Sequence, residues 1–191
     1  MSVECGVMII GNPEYGLARS LRNVFLDADF YSRSSGGYDL NKREAREELA
    51  KISLTYDVVI AVSALSEFRQ TLLCESVMKE WWKMKHPGYL IALGSSADTP
   101  VKSTNWLYPT EKRALRAYCR QLSQQCASEN NWGMKVTYVA PGNLHTPRQD
   151  DKLPGVKKLD CDYVAKTIEW LVSQPFDVNI SELCLDRIVS G

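Results

Sequence analysis

Four stretches of this chain are predominantly apolar, and polar or turn-forming residues close each of them. Val7 to Ile10 stops at Gly11-Asn12-Pro13, Asp57-Val58-Val59-Ile60-Ala61-Val62 at Ser63, Tyr89 to Leu93 at Gly94-Ser95-Ser96, and Met134 to Ala140 at Pro141-Gly142. Short apolar runs that do not alternate with polar residues mark strands covered on both faces. Phe30-Tyr31-Ser32, closed by Arg33, and Ile180 to Leu185 complete six predicted strands. Between them the period becomes helical. Ala18, Leu21 and Phe25 follow Gly16, and Ala45, Leu49 and Ile52 follow a capping-box pair, Asn41 with Glu44. Leu72, Val77 or Ser76, and Trp81 mark a helix over 67–85, and Leu115, Tyr118, Leu122 and Cys126 one from about Pro109. Val164, Ile168 and Leu171 mark the last. Alternating strands and helices predict an α/β fold, a doubly wound parallel sheet in one three-layer domain over 1–191, with no repeat or linker dividing it. In such sheets the ligand sits beyond the carboxyl ends of the strands. Those ends are Gly11-Asn12, Arg33, Ser63-Ala64, Ser95-Ser96 and Pro141-Gly142.

Composition narrows the partners. With 23 Lys+Arg against 23 Asp+Glu there is no basic excess of the kind that marks nucleic-acid binding. No apolar run approaches the roughly 18 residues of a membrane span. The six cysteines form neither a C-x-x-C pair nor a Cys/His cluster of metal spacing, so reduced thiols and no metal are expected. The first residues carry Glu4 ahead of a four-residue apolar run, which does not match a secretory signal, and a cytoplasmic location is expected.

Two segments carry candidate chemistry. Gly11-Asn12-Pro13-Glu14-Tyr15-Gly16-Leu17-Ala18 joins a predicted strand to a predicted helix, where a phosphate can meet free N–H groups and the positive end of the helix dipole. A plain tight turn fits the same residues equally well. Tyr108 and Lys112 stand four apart, hence on one helical face. Chance supplies a second such pair, Tyr38 with Lys42, but only Tyr108 lies 12 and 13 residues after the strand-end serines Ser96 and Ser95. A phenol of pKa near 10 needs help to work as an acid or base at neutral pH, and a neighbouring ammonium favours its phenolate. Two hydroxyls converging on one oxygen can also hold a carbonyl and stabilise the alkoxide that develops on it. The set suits reversible carbonyl reduction.

Gly11 to Ala18, Gly94-Ser95-Ser96, Tyr108-x-x-x-Lys112 and Pro141-Gly142-Asn143-Leu144-His145-Thr146 occur in the order of the short-chain dehydrogenase/reductase family, and the chain resembles a compact, Rossmann-like member. The resemblance implies that Tyr108 exchanges the proton and that Lys112 binds the nicotinamide ribose while lowering the phenol pKa. It implies that a serine orients the substrate carbonyl: motif alignment favours Ser96, and counting back thirteen favours Ser95. Gly11, Asn12, Tyr15, Gly16 and Leu17 would hold the pyrophosphate side, and Ser63 and Ala64 would follow the central strand against the cofactor. Asp39 would lie at the adenine, and Pro141, Gly142, Leu144 and Thr146 at the nicotinamide. Arg33 resembles the residue that meets the 2′-phosphate, and no acid stands at Ser32 or Ser34, so NADP(H) is preferred over NAD(H). A small carbonyl or alcohol substrate and a homodimer or homotetramer are implied. Asn12 replaces a loop glycine, Ala18 another, and no Asn occurs from Lys42 to Thr104, so the family's active-site Asn is missing. Its proton relay must then be wired differently. A nucleotide-binding sensor without turnover is the alternative, and His145 is expected to be a solvated loop residue.

Overall fold

The computed structural model describes residues 6–63, 66–99, 105–128 and 132–188. They contain strands β1 (Val7–Ile10), β2 (Asp29–Tyr31), β3 (Val58–Ala61), β4 (Tyr89–Leu93), β5 (Lys135–Pro141) and β6 (Glu182–Leu185). The helices are α1 (Gly16–Val24), α2 (Arg43–Ile52), α3 (Arg69–Met84), α4 (Tyr108–Cys126), α5 (Pro147–Lys152) and α6 (Cys161–Val172). The strands form one parallel sheet in the order β2-β1-β3-β4-β5-β6. The chain runs from β1 out to β2 and then returns to place β3 on the other side of β1. That reversal opens the crevice in which α/β folds bind ligands.

Alternation within each strand divides the core in two. Met8, Ile10, Val59, Leu90 and Val136 pack with Leu49, Leu73, Val77, Trp81 and Leu115 from α2, α3 and α4. Val7, Ile9, Ile60, Ile91 and Val139 pack with Leu17, Leu21, Val164 and Ile168 from α1 and α6. Both faces of β1, β3 and β4 are therefore dry, which is why these central strands carry no polar alternation.

Two local expectations change. The buried stripe of α3 runs through Gln70, Leu73, Cys74, Val77 and Trp81, so Val77 and Trp81 lie where predicted, while Leu72 is 40% exposed and Leu73 takes its place. Asn41 and Glu44 do not form a capping box, because Lys42 takes the N-cap position without a side-chain cap. The Asn41 side chain instead accepts from Arg69 Nη1 at 3.0 Å. The five residues between Arg33 and Asp39 are too few for a helix, and as expected they form only a turn, in which Ser32 bridges to Gly36.

Candidate active site

At the end of β1 the Gly11 N–H donates to the Tyr31 carbonyl at 3.0 Å. Asn12 is not left-handed, as a glycine substitute there would be expected to be; it closes the turn with its side chain. Its Oδ1 accepts the Glu14 N–H at 3.0 Å, and its carbonyl accepts the Tyr15 N–H at 3.1 Å. The left-handed position is Gly16, with φ of 54°, which no L side chain adopts cheaply. α1 starts there without a side-chain cap, so its first N–H groups stay open to an anion. Leu17 turns into the core with α1 and can offer a ligand only its backbone, while Tyr15 is exposed.

Beside this loop lies a cavity of about 440 Å³ lined by Asn12, Ser32, Arg33, Ser34, Tyr38, Asp39, Leu40, Asn41 and Ser63. Arg33 Nη2 donates to Asp39 Oδ1 at 2.8 Å. That hydrogen bond, with the Asn41 N–H, holds the Asp39 carboxyl below the usual carboxylate range. Arg46 of α2 fixes the wall by donating from Nη1 to the carbonyls of Leu40 at 2.8 Å and Asn41 at 3.1 Å. Ser63 Oγ donates back to the Ile10 carbonyl at 3.1 Å. Ala64 lies outside the described residues.

The chemical end is built on β4. Gly94 follows that strand because the Tyr138 ring crosses it: a Cβ there would lie 1.9 Å from Tyr138 Cζ. Ser95 caps the following 3-10 turn, Ser96–Asp98, its Oγ accepting the Ala97 N–H at 3.2 Å. The Ser95 side chain also lies close enough to Tyr108 to bear on its pKa, whereas Ser96 lies within the turn. Tyr108 opens α4 with Pro109 behind it, and Trp106 stacks on its ring at 4.8 Å between centroids and 15° between planes. Burial pushes the Tyr108 pKa up, opposed by the nearby Ser95 hydroxyl.

One turn along α4, Lys112 is buried, and burial pulls its pKa down to about 8. Its Nζ donates to Gln70 Oε1 at 2.5 Å and to the Leu93 carbonyl at 3.0 Å, and lies 5.5 Å from the Tyr108 ring centroid. Lys112 was expected to hold the phenol pKa down, yet the phenol stands above its ordinary value. The ammonium is engaged by Gln70 and Leu93, and Ser95 supplies the lowering contact instead.

Below these groups lies a polar support. The Tyr138 hydroxyl donates to Asp98 Oδ2 at 2.6 Å and accepts the Ser95 N–H at 3.3 Å. Arg116 Nη1 reaches Asp98 Oδ1 at 3.1 Å while its Nη2 reaches Glu182 Oε2 at 3.0 Å, and Arg120 also binds Glu182. Gln70, Asp98, Tyr138, Arg116 and Glu182 were not singled out in the sequence. Only Gln70 carries a usable signal, a lone amide at helical spacing from Leu73, Cys74 and Val77.

Beyond β5, whose last residue is Pro141, the Gly142 N–H donates to the Leu185 carbonyl at 2.7 Å, and Leu144 bridges to Leu159. Thr146 caps α5 by accepting the Gln149 N–H at 3.3 Å. Its Cγ2 would meet a Cβ on Gly16 at 3.4 Å, so this loop adjoins the β1–α1 loop. His145 is exposed, but its Nε2 lies 2.9 Å from Asp150 Oδ2. The described residues contain no cluster of metal-ligating side chains and no helix long and apolar enough to cross a membrane. Their cysteines are all free.

No protein-family model matches the chain. A Staphylococcus epidermidis protein named "Uncharacterized oxidoreductase" is 30% identical over 99 residues, which are 51% of this chain and 42% of that protein. The match thus spans less than half the length of that relative. A solved "short chain dehydrogenase/reductase family protein" superposes with a TM-score of 0.77 at 15% identity, over 97% of both chains. The chain has the short-chain dehydrogenase/reductase fold. A second structure of that fold, described as "ElxO with NADP Bound", has a TM-score of 0.73 at 17% identity and covers 95% of this chain and 96% of its own. The resemblance read from the motifs holds in the architecture. Within this short-chain dehydrogenase/reductase fold, Gly16, Ser95, Tyr108, Lys112 and Thr146 all lie at the carboxyl ends of β1, β4 and β5 or on the elements that follow them.

Proposed function

We propose that this chain is an NADPH-dependent reductase of a small carbonyl compound, or the reverse alcohol oxidoreductase, with one nucleotide-binding domain over 1–191. The observation that carries this reading is the convergence of Ser95, Tyr108 and buried Lys112 at the end of β4, with Lys112 Nζ 5.5 Å from the Tyr108 ring. A nicotinamide dinucleotide fits the residues present. The uncapped N-terminus of α1 and left-handed Gly16 suit a pyrophosphate, and the 440 Å³ cavity suits an adenosine half. Arg33 in that cavity, with serines at 32 and 34, favours a 2′-phosphate. Pro141, Gly142, Leu144 and Thr146 would wall the nicotinamide end.

When bound, the cofactor supplies a hydride to the carbonyl carbon. Ser95 Oγ and the Tyr108 hydroxyl hold the carbonyl oxygen and stabilise the charge growing on it. Tyr108 then gives that oxygen its proton, completing the alcohol. A phenol raised by burial keeps its proton at neutral pH, which suits the reducing direction. Lys112 offers its charge to the ribose hydroxyls and to the phenolate left behind. The enzyme would work as a homodimer or homotetramer in the cytoplasm, which light scattering and cell fractionation test.

The first experiment is titration with NADPH and NADH, read by tryptophan fluorescence and thermal shift, followed by turnover on a carbonyl panel. A ligand that binds only the native state must raise its stability. NADPH binding with turnover lost in Tyr108→Phe is expected. Indifference to both nucleotides would overturn the reading. Binding without turnover would favour a nucleotide sensor, to which the engagement of Lys112 by Gln70 also lends itself.

A further inference from the structure

Gln70 is an amide on the dry face of α3, 3% exposed, between two strands. Its Nε2 donates to the Ala61 carbonyl of β3 at 3.1 Å and to the Leu93 carbonyl of β4 at 2.8 Å. Both amide hydrogens are thus spent on strand-end carbonyls, which leaves Oε1 as the only face free to receive a donor. The opposite flip would set Oε1 against two carbonyls and the NH₂ against an ammonium, so the orientation is fixed. Into that oxygen comes Lys112 Nζ at 2.5 Å. The Leu93 carbonyl accepts from Gln70 and Lys112 alike, closing a small ring of contacts. The crevice beside it, lined by Phe68, Thr71, Glu111 and Leu115, leaves no room for a water molecule.

A buried ammonium must have its protons received, or burial drives it to the neutral form. The groups facing Lys112 are Cys74 of α3, Glu111 and Cys119 of α4, and Asp98 of the 3-10 turn. The Glu111 carboxylate is engaged by the Phe68 N–H at 3.2 Å and Asp98 by Tyr138 and Arg116. No carboxylate hydrogen-bonds to Lys112 among the described residues. The neutral amide of Gln70 and one strand carbonyl hold it.

We infer that Gln70 is the positioning residue of the active-site lysine: clamped by the ends of β3 and β4, it fixes Lys112 Nζ directly, with no intervening water, and sets the pH range over which that lysine is charged. The inference rests on the proposed reductase for its catalytic meaning, but the contact can be tested without turnover.

The test is ¹³Cε-lysine NMR titration of the native chain, Lys112→Met, Gln70→Glu and Gln70→Leu, with kcat pH profiles alongside. In the native chain one lysine should titrate near pH 8, and that signal should vanish in Lys112→Met. Gln70→Glu, nearly isosteric, should raise its midpoint by about one unit or more, because a carboxylate replaces a neutral acceptor. Gln70→Leu should lower it and reduce kcat about tenfold or more. The alkaline limb of the kcat profile should move with the NMR midpoint in both variants. An unchanged Lys112 midpoint in Gln70→Glu and Gln70→Leu would overturn the inference. Should Gln70→Leu fail to fold, Gln70→Glu alone decides. A native chain without turnover on any carbonyl would count against the proposed function, and the NMR arm would still decide the contact.

Discussion

Tyr138 and Asp98 meet at 2.6 Å inside the protein, hydroxyl to carboxylate, directly beneath the strand end that carries Ser95. The Tyr138 pKa is driven upward by burial first and by this carboxylate second, so the phenol stays a donor throughout the physiological range. Tyr138→Phe keeps the ring against Gly94 but strips Asp98 of a donor and the Ser95 N–H of an acceptor. Leaving a buried carboxylate short of a donor costs about 1–3 kcal/mol. Urea unfolding should show that loss, and Tm should fall by roughly 2–4 °C for each kcal/mol.

The two strand-end serines differ, since the Ser95 hydroxyl lowers the Tyr108 pKa and Ser96 sits within the turn. Ser95→Ala should lower kcat/KM by about 10²-fold, the lower range for loss of a donor at a developing oxyanion. Ser96→Ala should stay within a few fold. Tyr108→Phe should lose about 10²–10⁴-fold in kcat with NADPH affinity retained. Steady-state kinetics on any accepted carbonyl distinguishes the three, and equal losses in both serine variants would contradict the assignment.

Lys112 couples stability to pH. Its folded pKa of about 8 lies below the unfolded value. Between the two, the unfolded chain holds a proton that the folded chain has released, so folding strengthens as pH rises through that window and gains nothing below it. Relative to Lys112→Met, the native chain should gain about 3 kcal/mol between roughly pH 7.5 and 10.5. Urea unfolding of both proteins across that range gives the difference, and parallel curves would mean that the lysine is not desolvated.

At the cavity the 2.8 Å Arg33–Asp39 pair predicts opposite effects from its two members. Arg33→Ala should weaken NADPH about tenfold or more and NADH little, since one charge-assisted contact to a phosphate is lost. Asp39→Asn frees the guanidinium and removes a nearby negative charge, so NADPH should bind more tightly while NADH changes less. Fluorescence titration at fixed ionic strength tests both.

The strands were legible because a parallel sheet dry on both faces writes itself as unbroken apolar runs, as in Val58–Ala61. Tyr108 and Lys112 were legible because helical spacing and distance from Ser95 are linear quantities. Gln70 was not, because in a helical pattern an amide reads as surface until the first turn of the stripe is known, and there Leu73, not Leu72, faces the core. Asp98 and Tyr138 come from separate elements, and only the fold joins them. The turn at Asn12 was not legible, because the side chain closes it by accepting the Glu14 N–H, a route that needs no glycine and leaves no pattern in the chain.

Glu182 belongs to β6, the last of the six strands to leave the ribosome, yet it is the anion that holds Arg116 against Asp98. Domains generally gather as units during synthesis. A nascent chain that already displays Ser95, Tyr108 and Lys112 still has Arg116 without its far partner until residue 182 has emerged and docked. Assembly of the proposed catalytic end is therefore timed by β6, and chains stalled before it would carry every proposed catalytic side chain on an unfinished foundation.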